Sequence, residues 1–424
     1  MALVLRLNKK LKQQGLEKDS VMFKQFHMTI SASVLALGVL ALGFGPAITA
    51  TANAADLPKA TAKTLKKLKF DVSMLKGLDA ELKVPNAWIE GAKKEKEVVI
   101  LGTWSNRAFK KMTKSFNARY PFIKLRYHRT KTSGRGMKVL IALHGGRVIT
   151  DVTTSIADSY FEFTKMKALA DLRELPGYKN VAKAHRAKDG TWAAFKISFR
   201  CMGYNTDKVK KSELPKTWDE LLTNPRWRNG NISFSNHPNA WLLNLWGIKG
   251  EKWGQKFTKG LYDVVKPQKR KEGMTAMTAL TVAGEAHANI PAPAYRVKKY
   301  QLKGAPIAYH CPAPVPITLS QIVMLEKAKH KNAARLFINW ILSKEGQIMQ
   351  YATSLTVPVH QGLPEKQFLA FPDTILGKQR AVRDDAMLNS QMHKDMLSLW
   401  NANWIGVPER KRKKRRKGKK RKKN

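Results

Sequence analysis

Residues 87–102, AWIEGAKKEKEVVILG, decide the fold. From Ala87 to Lys96, Trp88, Ile89 and Ala92 share one helical face. Val98-Val99-Ile100-Leu101 follows as an unbroken apolar run that stops at Gly102. A short apolar run between two helical patterns predicts a strand buried on both faces, as parallel sheets require.

The same alternation continues outward. Phe109, Met112, Phe116 and Tyr120 recur at helical spacing until Pro121, and Ile123 to Tyr127 alternates as a second strand. Gly136 to Leu143 is helical, and Ile149-Thr150-Asp151-Val152 predicts a third strand. Strands alternating with helices define an α/β fold with parallel-type sheets flanked by helices. Ala194 to Tyr204 is extended and apolar-aromatic, and Ala305 to Thr318 is extended again. Between them lie helical patterns at Trp218–Leu222, Trp241–Trp246, Trp253–Tyr262 and Met274–Ala283. The two extended stretches read as crossovers between two lobes. A long helix is expected over Asn332 to Ala352, with Ala333, Leu336, Phe337, Trp340, Ile341 and Ile348 on one face. Lys-rich Asp56 to Leu82 reads as an amphipathic, lightly packed extension.

Upstream, Ile30 to Leu42 is nearly all apolar, Lys24 and His27 precede it, and Ala52-Asn53-Ala54 follows. A positive region, an apolar region and a small-x-small site form a secretory signal peptide, with cleavage expected after Ala54. Gly43, Gly45 and Pro46 interrupt the run before the roughly 20 residues of a membrane-spanning helix, which is what the alternative, an uncleaved anchor, would need. Met22 and Met28 are alternative starts. The expected organisation is a signal peptide over 1–54 and an N-terminal extension over 55–86. The first lobe follows over 87–197, the second lobe with hinge strands over 198–310, a return to the first lobe over 311–405, and a disordered basic tail over 406–424.

The chain carries 78 Lys+Arg against 31 Asp+Glu, formally +47. Arg410 to Asn424 holds 13 of these cations and no acid, so removing it still leaves +34. Such charge usually points to nucleic acid, but an exported protein meets none. Anionic solutes and anionic membrane surfaces remain. Cys201 and Cys311 are the only cysteines, too few for a disulfide framework or a zinc site. The sequence has no G-x-S-x-G, P-loop, H-E-x-x-H or dinucleotide fingerprint, so no enzyme is expected, and neither a metal nor a cofactor.

Several motifs now stand in order: WIEGAKKEKEVVILGT (88–103), Tyr120-Pro121-Phe122-Ile123-Lys124, Tyr204-Asn205-Thr206-Asp207, LPKTWDELL (214–222) and AARLFINWILSKEGQ (333–347). Over about Ala87 to Leu363 the chain resembles type II periplasmic solute-binding proteins of ABC importers, in the branch with ferric-ion, thiamine and phosphonate receptors. The resemblance implies a periplasmic, monomeric receptor with two α/β lobes, two hinge strands and a ligand cleft between the lobes. It also implies delivery of a small solute to a membrane permease. The branch's ferric receptors use a Tyr-Tyr pair in the second lobe and often a His after the first strand. This chain has Tyr295-Arg296 and Thr103-Trp104-Ser105 instead, which argues against direct Fe³⁺ binding. The expected solute is a small anion or zwitterion. Ferric ion and thiamine are the alternatives within the fold, and an exported polyanion-binding adhesion protein is the alternative from another class.

Each candidate ligand residue has a bland reading beside the functional one. Thr132-Ser133-Gly134-Arg135-Gly136 is either an anion-binding loop or a capped glycine turn. Thr154 and Ser155, at the end of the third strand, either donate to the solute or cap a helix. Trp104, with Ser105 beside it, is a stacking aromatic or lid packing. Asn236, Trp241 and Tyr295 are candidates from the second lobe, the last also readable as surface packing. In the resembled fold the hinge strands run side by side, so a Cys201–Cys311 bridge is expected there, the alternative being two free thiols. The tail over 410–424 is a candidate contact for anionic membrane.

Overall fold

A computed structural model describes residues 57–130, 132–156, 159–382, 388 and 390–405. The expected signal peptide and the basic tail lie outside the described residues. The chain opens with helix α1 (Lys59–Leu68) and helix α2 (Asn86–Glu95), followed by strand β1 (Glu97–Gly102), helix α3 (Asn106–Met112) and strand β2 (Lys124–Arg129). Helix α4 (Thr132–His144) leads to β3 (Val152–Thr154), and a long strand β4 (Ala193–Asn205) follows. Next come β5 (Ile232–Ser235), α5 (Leu242–Lys249), α6 (Glu251–Gly260), β6 (Gln268–Arg270), α7 (Met274–Val282), β7 (Ala288–Pro293) and α8 (Ala294–Gln301). The last elements are β8 (Ile307–His310), β9 (Val315–Met324), α9 (Lys331–Leu342), α10 (Lys344–Ser354), β10 (Arg380–Val382) and α11 (Gln391–Ile405).

The strands run in the order β2-β1-β3-β9-β4-β7-β5-β6. β1 pairs in parallel with both β2 and β3, as its continuous apolar run requires. β4 changes partner midway. Ala193 to Phe199 pairs antiparallel with β9, and Arg200 to Asn205 pairs with β7 and β8. It is therefore the first crossover between the lobes, and β8 with β9 forms the second. Two separate hydrophobic cores result. One holds Phe109, Phe116, Phe337 and Trp340; the other holds Trp218, Phe234, Trp241 and Trp400.

Four expectations change. The third strand begins at Val152, not Ile149, because Asp151 serves as a tie. Its buried carboxylate accepts from the Val99 amide at 2.7 Å, the Lys329 amide at 2.9 Å and His330 Nδ1 at 2.8 Å, and so holds β1, β3 and the approach to α9 together. The long helix at 332–352 is two helices, because Ser343 is extended and its Oγ caps the Gly346 amide at 3.3 Å. A side chain at Gly346 would run into the Trp340 carbonyl, so the tight junction depends on glycine. The N-terminal extension is not lightly packed. Leu65, Leu75 and Leu78 are buried, and Thr61 Oγ1 donates to Glu345 at 2.5 Å. Glu345, itself buried, also accepts from Arg119 Nε at 2.6 Å and Trp340 Nε1 at 2.8 Å.

The fourth change concerns the 311–405 return, which does not stay in the first lobe. Met396 and Trp400 of α11 are buried in the second core. Trp400 Nε1 donates to Asn236 Oδ1 at 2.8 Å, and Lys269 Nζ donates to the Asn403 carbonyl at 2.6 Å. The apolar pattern of α11 shows that it is amphipathic but not which core it joins.

Candidate functional site

The site forms where β4 passes from one sheet to the other. Along β4 only Lys196 and Arg200 escape full burial. Four residues apart on a strand, they project from the same face. Across the second lobe, β7 ends at Pro293 and α8 starts at once, placing Tyr295 and Arg296 in its first turn. The Arg296 guanidinium lies 5.3 Å from the Tyr295 ring centroid. Arg200 Nε reaches Thr318 Oγ1 of β9 at 3.4 Å.

The electrostatics of this cluster are one-sided. Burial alone would raise the Tyr295 phenol; Arg200, then Arg296 and Lys196, outweigh it and draw the pKa down to about 8. Tyr309, whose hydroxyl accepts from the Cys201 amide at 2.9 Å, shows the opposite balance. Burial dominates there, and its phenol is raised although Arg200 pulls the other way. His237 is lowered by burial and then by Arg200. Lys299 is lowered by burial, its ammonium 5.9 Å from the Tyr295 ring. Among the described residues, neither Arg200 nor Arg296 forms an ion pair with a carboxylate. Arg296 Nε is buried without a hydrogen-bond partner. So are Thr103 Oγ1, just beyond β1, and Ser235 Oγ, at the end of β5. Ligands of open α/β sheets sit outside such strand ends.

Tyr295 joins this cluster; most other expected residues do not. Trp241 is fully buried between Trp218 and Phe234 and has no face for a ligand. Trp104 is 4% exposed, donates its indole N–H to Gln350 at 3.1 Å and packs on Phe195; only Lys196, 6.0 Å over its ring, links it to the cluster. Asn236 is exposed and holds Trp400. Ser105 caps α3, its Oγ accepting from the Ala108 amide at 3.2 Å. Thr154 is fully buried. Ser155 is partly exposed, with φ 58° and its amide bound to the Gln321 carbonyl at 2.7 Å. Thr132, Ser133 and Arg135 form the first turn of α4, which starts four residues before the expected Gly136; their side chains lie outside the described residues. Gly136 sits inside that helix because a side chain there would collide with Ser159.

Lys196 and Arg200 were absent from the expected set; Arg296 was a candidate with Tyr295. A signal for the first two was present: two cations at equal parity in an otherwise apolar strand call for a partner. Cys201, next to Arg200, is bonded to Cys311 with Cα atoms 5.0 Å apart, linking the two crossovers. Among the described residues no three His, Cys, Asp or Glu side chains are grouped to hold a metal ion, and no helix is long and apolar enough to cross a membrane.

Two α/β lobes joined by strand crossovers, with a polar cluster at the junction, define a periplasmic binding protein of type II. The chain matches the model for bacterial extracellular solute-binding proteins over residues 149–374 and belongs to that family. Iron-bound HitA from Pseudomonas aeruginosa is similar in structure, with TM-score 0.59 and 19% identity over 72% of this chain and 99% of that one. IdiA (FutA) from Trichodesmium, in complex with iron and citrate, has TM-score 0.60 and 18% identity over 72% and 99%. AfuA from Actinobacillus pleuropneumoniae, with exogenous fructose-6-phosphate bound, has TM-score 0.57 and 18% identity over 73% and 98%. At these identities the likeness is one of fold. No curated protein matches the chain.

Proposed function

We propose that this solute-binding protein is the periplasmic receptor of an ABC importer for a small organic anion. The solute lies between the lobes against Arg200, Arg296 and Lys196, with the Tyr295 phenol beside it. The observation that carries this reading is a phenol drawn down to about 8 by three cations, with no acidic side chain among the charges acting on it. Uncompensated guanidinium groups favour carboxylate or phosphate. Thr103 and Ser235 supply hydroxyls for further hydrogen bonds. Closure of the lobes would bury the solute; periplasmic binding proteins are a standing example of such hinge motion.

Thiamine fits this wall poorly, since it is itself a cation and, of the aromatics that could stack on its ring, Trp104 and Trp241 are buried and Tyr295 lies among cations. Iron has one feature in its favour, the phenol's lowered pKa, and several against it, the adjacent cations. Calorimetry with fructose 6-phosphate, with a dicarboxylate such as succinate, and with ferric citrate decides. Binding of an organic anion that is weakened in the Arg200→Ala variant supports the reading. Tight ferric binding with a tyrosinate charge-transfer band lost in Tyr295→Phe overturns it.

A further inference from the structure

A second concentration of charge lies away from the lobe junction. Helices α1, α3 and α10 enclose a groove of about 910 Å³. Lys59, Lys63 and Lys67 line one rim, and Arg107, Lys111 and Lys114 the other. All six are exposed, and among the described residues none forms an ion pair. No acidic side chain lines the groove, and its floor includes Met349 and Ala352. Lys59, Lys63 and Lys67 recur every fourth residue, about 6 Å apart along one face of α1; Arg107 and Lys111 are four apart on α3, and Lys114 follows just beyond its end. Like charges at this spacing repel, and here two such rows also face each other.

The rims are fixed in place. The Thr61–Glu345 bond pins α1 to α10, and the Thr61 hydroxyl also accepts from that of Ser115 at 2.8 Å. A rigid cationic groove does not collapse to relieve its own repulsion, so a bound anion would neutralise both rims with little reorganisation. A phosphate monoester carries ≈ −1.5 to −2 charge and three acceptor oxygens, so two or more phosphate groups held together match the two rims.

We propose that this groove is a second anion site, for a ligand that presents at least two phosphate groups together, on one soluble molecule or on adjacent lipid headgroups. It does not depend on the solute at the lobe junction. The source is a soluble polyphosphorylated compound or phospholipid headgroups. The test uses the full chain at 150 mM salt, with sodium tripolyphosphate in calorimetry and phosphatidylglycerol vesicles in co-sedimentation. The groove variant is Lys63→Glu with Lys111→Glu. The control is Lys252→Glu with Lys256→Glu, which makes the same charge change on α6 and keeps the basic tail.

Binding of at least one probe should fall tenfold or more in the groove variant and less than twofold in the control. Loss confined to tripolyphosphate identifies a soluble ligand; loss confined to vesicles identifies lipid. Equal losses in both variants, or none in either, overturn the proposal, because binding would then follow net charge alone. The groove variant should also melt above the wild type without ligand, since it replaces facing repulsion with attraction. If it does not fold, Lys63→Gln with Lys111→Gln answers the same question.

Discussion

The lobe junction and the α1 groove are both built from cations, yet they use them differently. Lys196 and Arg200 interrupt an otherwise buried strand, and with Arg296 they act on a half-buried phenol strongly enough to reverse the effect of its burial. The six groove cations stand in water, where each pair interacts weakly and salt screens it. What separates the two is desolvation. The junction should bind a small anion through a few strong contacts, whereas the groove needs several charges on one ligand. Affinity at the groove should therefore fall more steeply with salt.

The largest effect that sharpens this contrast is on stability. Replacing both Cys201 and Cys311 by serine opens a loop spanning 110 positions and should cost about 5 kcal/mol by the chain-entropy model. Solute affinity should hardly change if the bridge serves the crossovers and not the ligand. Urea denaturation beside calorimetry checks both halves. Next, Glu345→Gln should cost about 3 kcal/mol, because it strands Arg119 and weakens the hold on Thr61. It should loosen the groove while leaving the junction intact; loss of solute binding at the junction would show that the two regions are not separate.

Arg200→Ala should weaken the solute by about 2 kcal/mol, roughly 30-fold, the value of a charge-assisted hydrogen bond. Unchanged affinity would break the comparison at its stronger end. The smallest effect is a pH step. The Tyr295 phenol is depressed in the folded state, from its ordinary value near 10 to about 8. The unfolded chain then holds the proton more tightly, so the phenolate contributes stability that grows as pH rises from about 8 toward 10 and is lost as pH falls through about 8. A bound anion competes with the phenolate. Affinity should therefore decline above pH 8, by up to about tenfold per pH unit. Titration calorimetry between pH 7 and 9 should show this step in the wild type and none in Tyr295→Phe.

Much of the architecture was legible because period and punctuation are local properties. Val98 to Leu101 could only be a buried strand, and the two extended stretches bracket the middle lobe. The missed features are those in which a distant partner decides. Asp151 looks like part of a strand until its carboxylate is seen joining β1 to the segment before α9. Ser343 looks helical until Gly346 packs beneath Trp340. Trp104 and Trp241 were chosen as candidate ligand contacts, and nothing in their own neighbourhoods shows that two cores claim them. Lys196 and Arg200 were readable but lay in a stretch taken for hinge alone. Nothing near Trp400 indicates which core α11 will join.

That last helix has a practical consequence. α1 packs on the first core and α11 on the second, so two exposed positions, Lys66 on one and Lys394 on the other, ride on different jaws. The native cysteines are joined to each other, and thiols introduced by Lys66→Cys and Lys394→Cys would be the free ones for a donor and an acceptor dye. Energy transfer between them would report each closing of the jaws as a change of colour, one molecule at a time, before the identity of the solute is known.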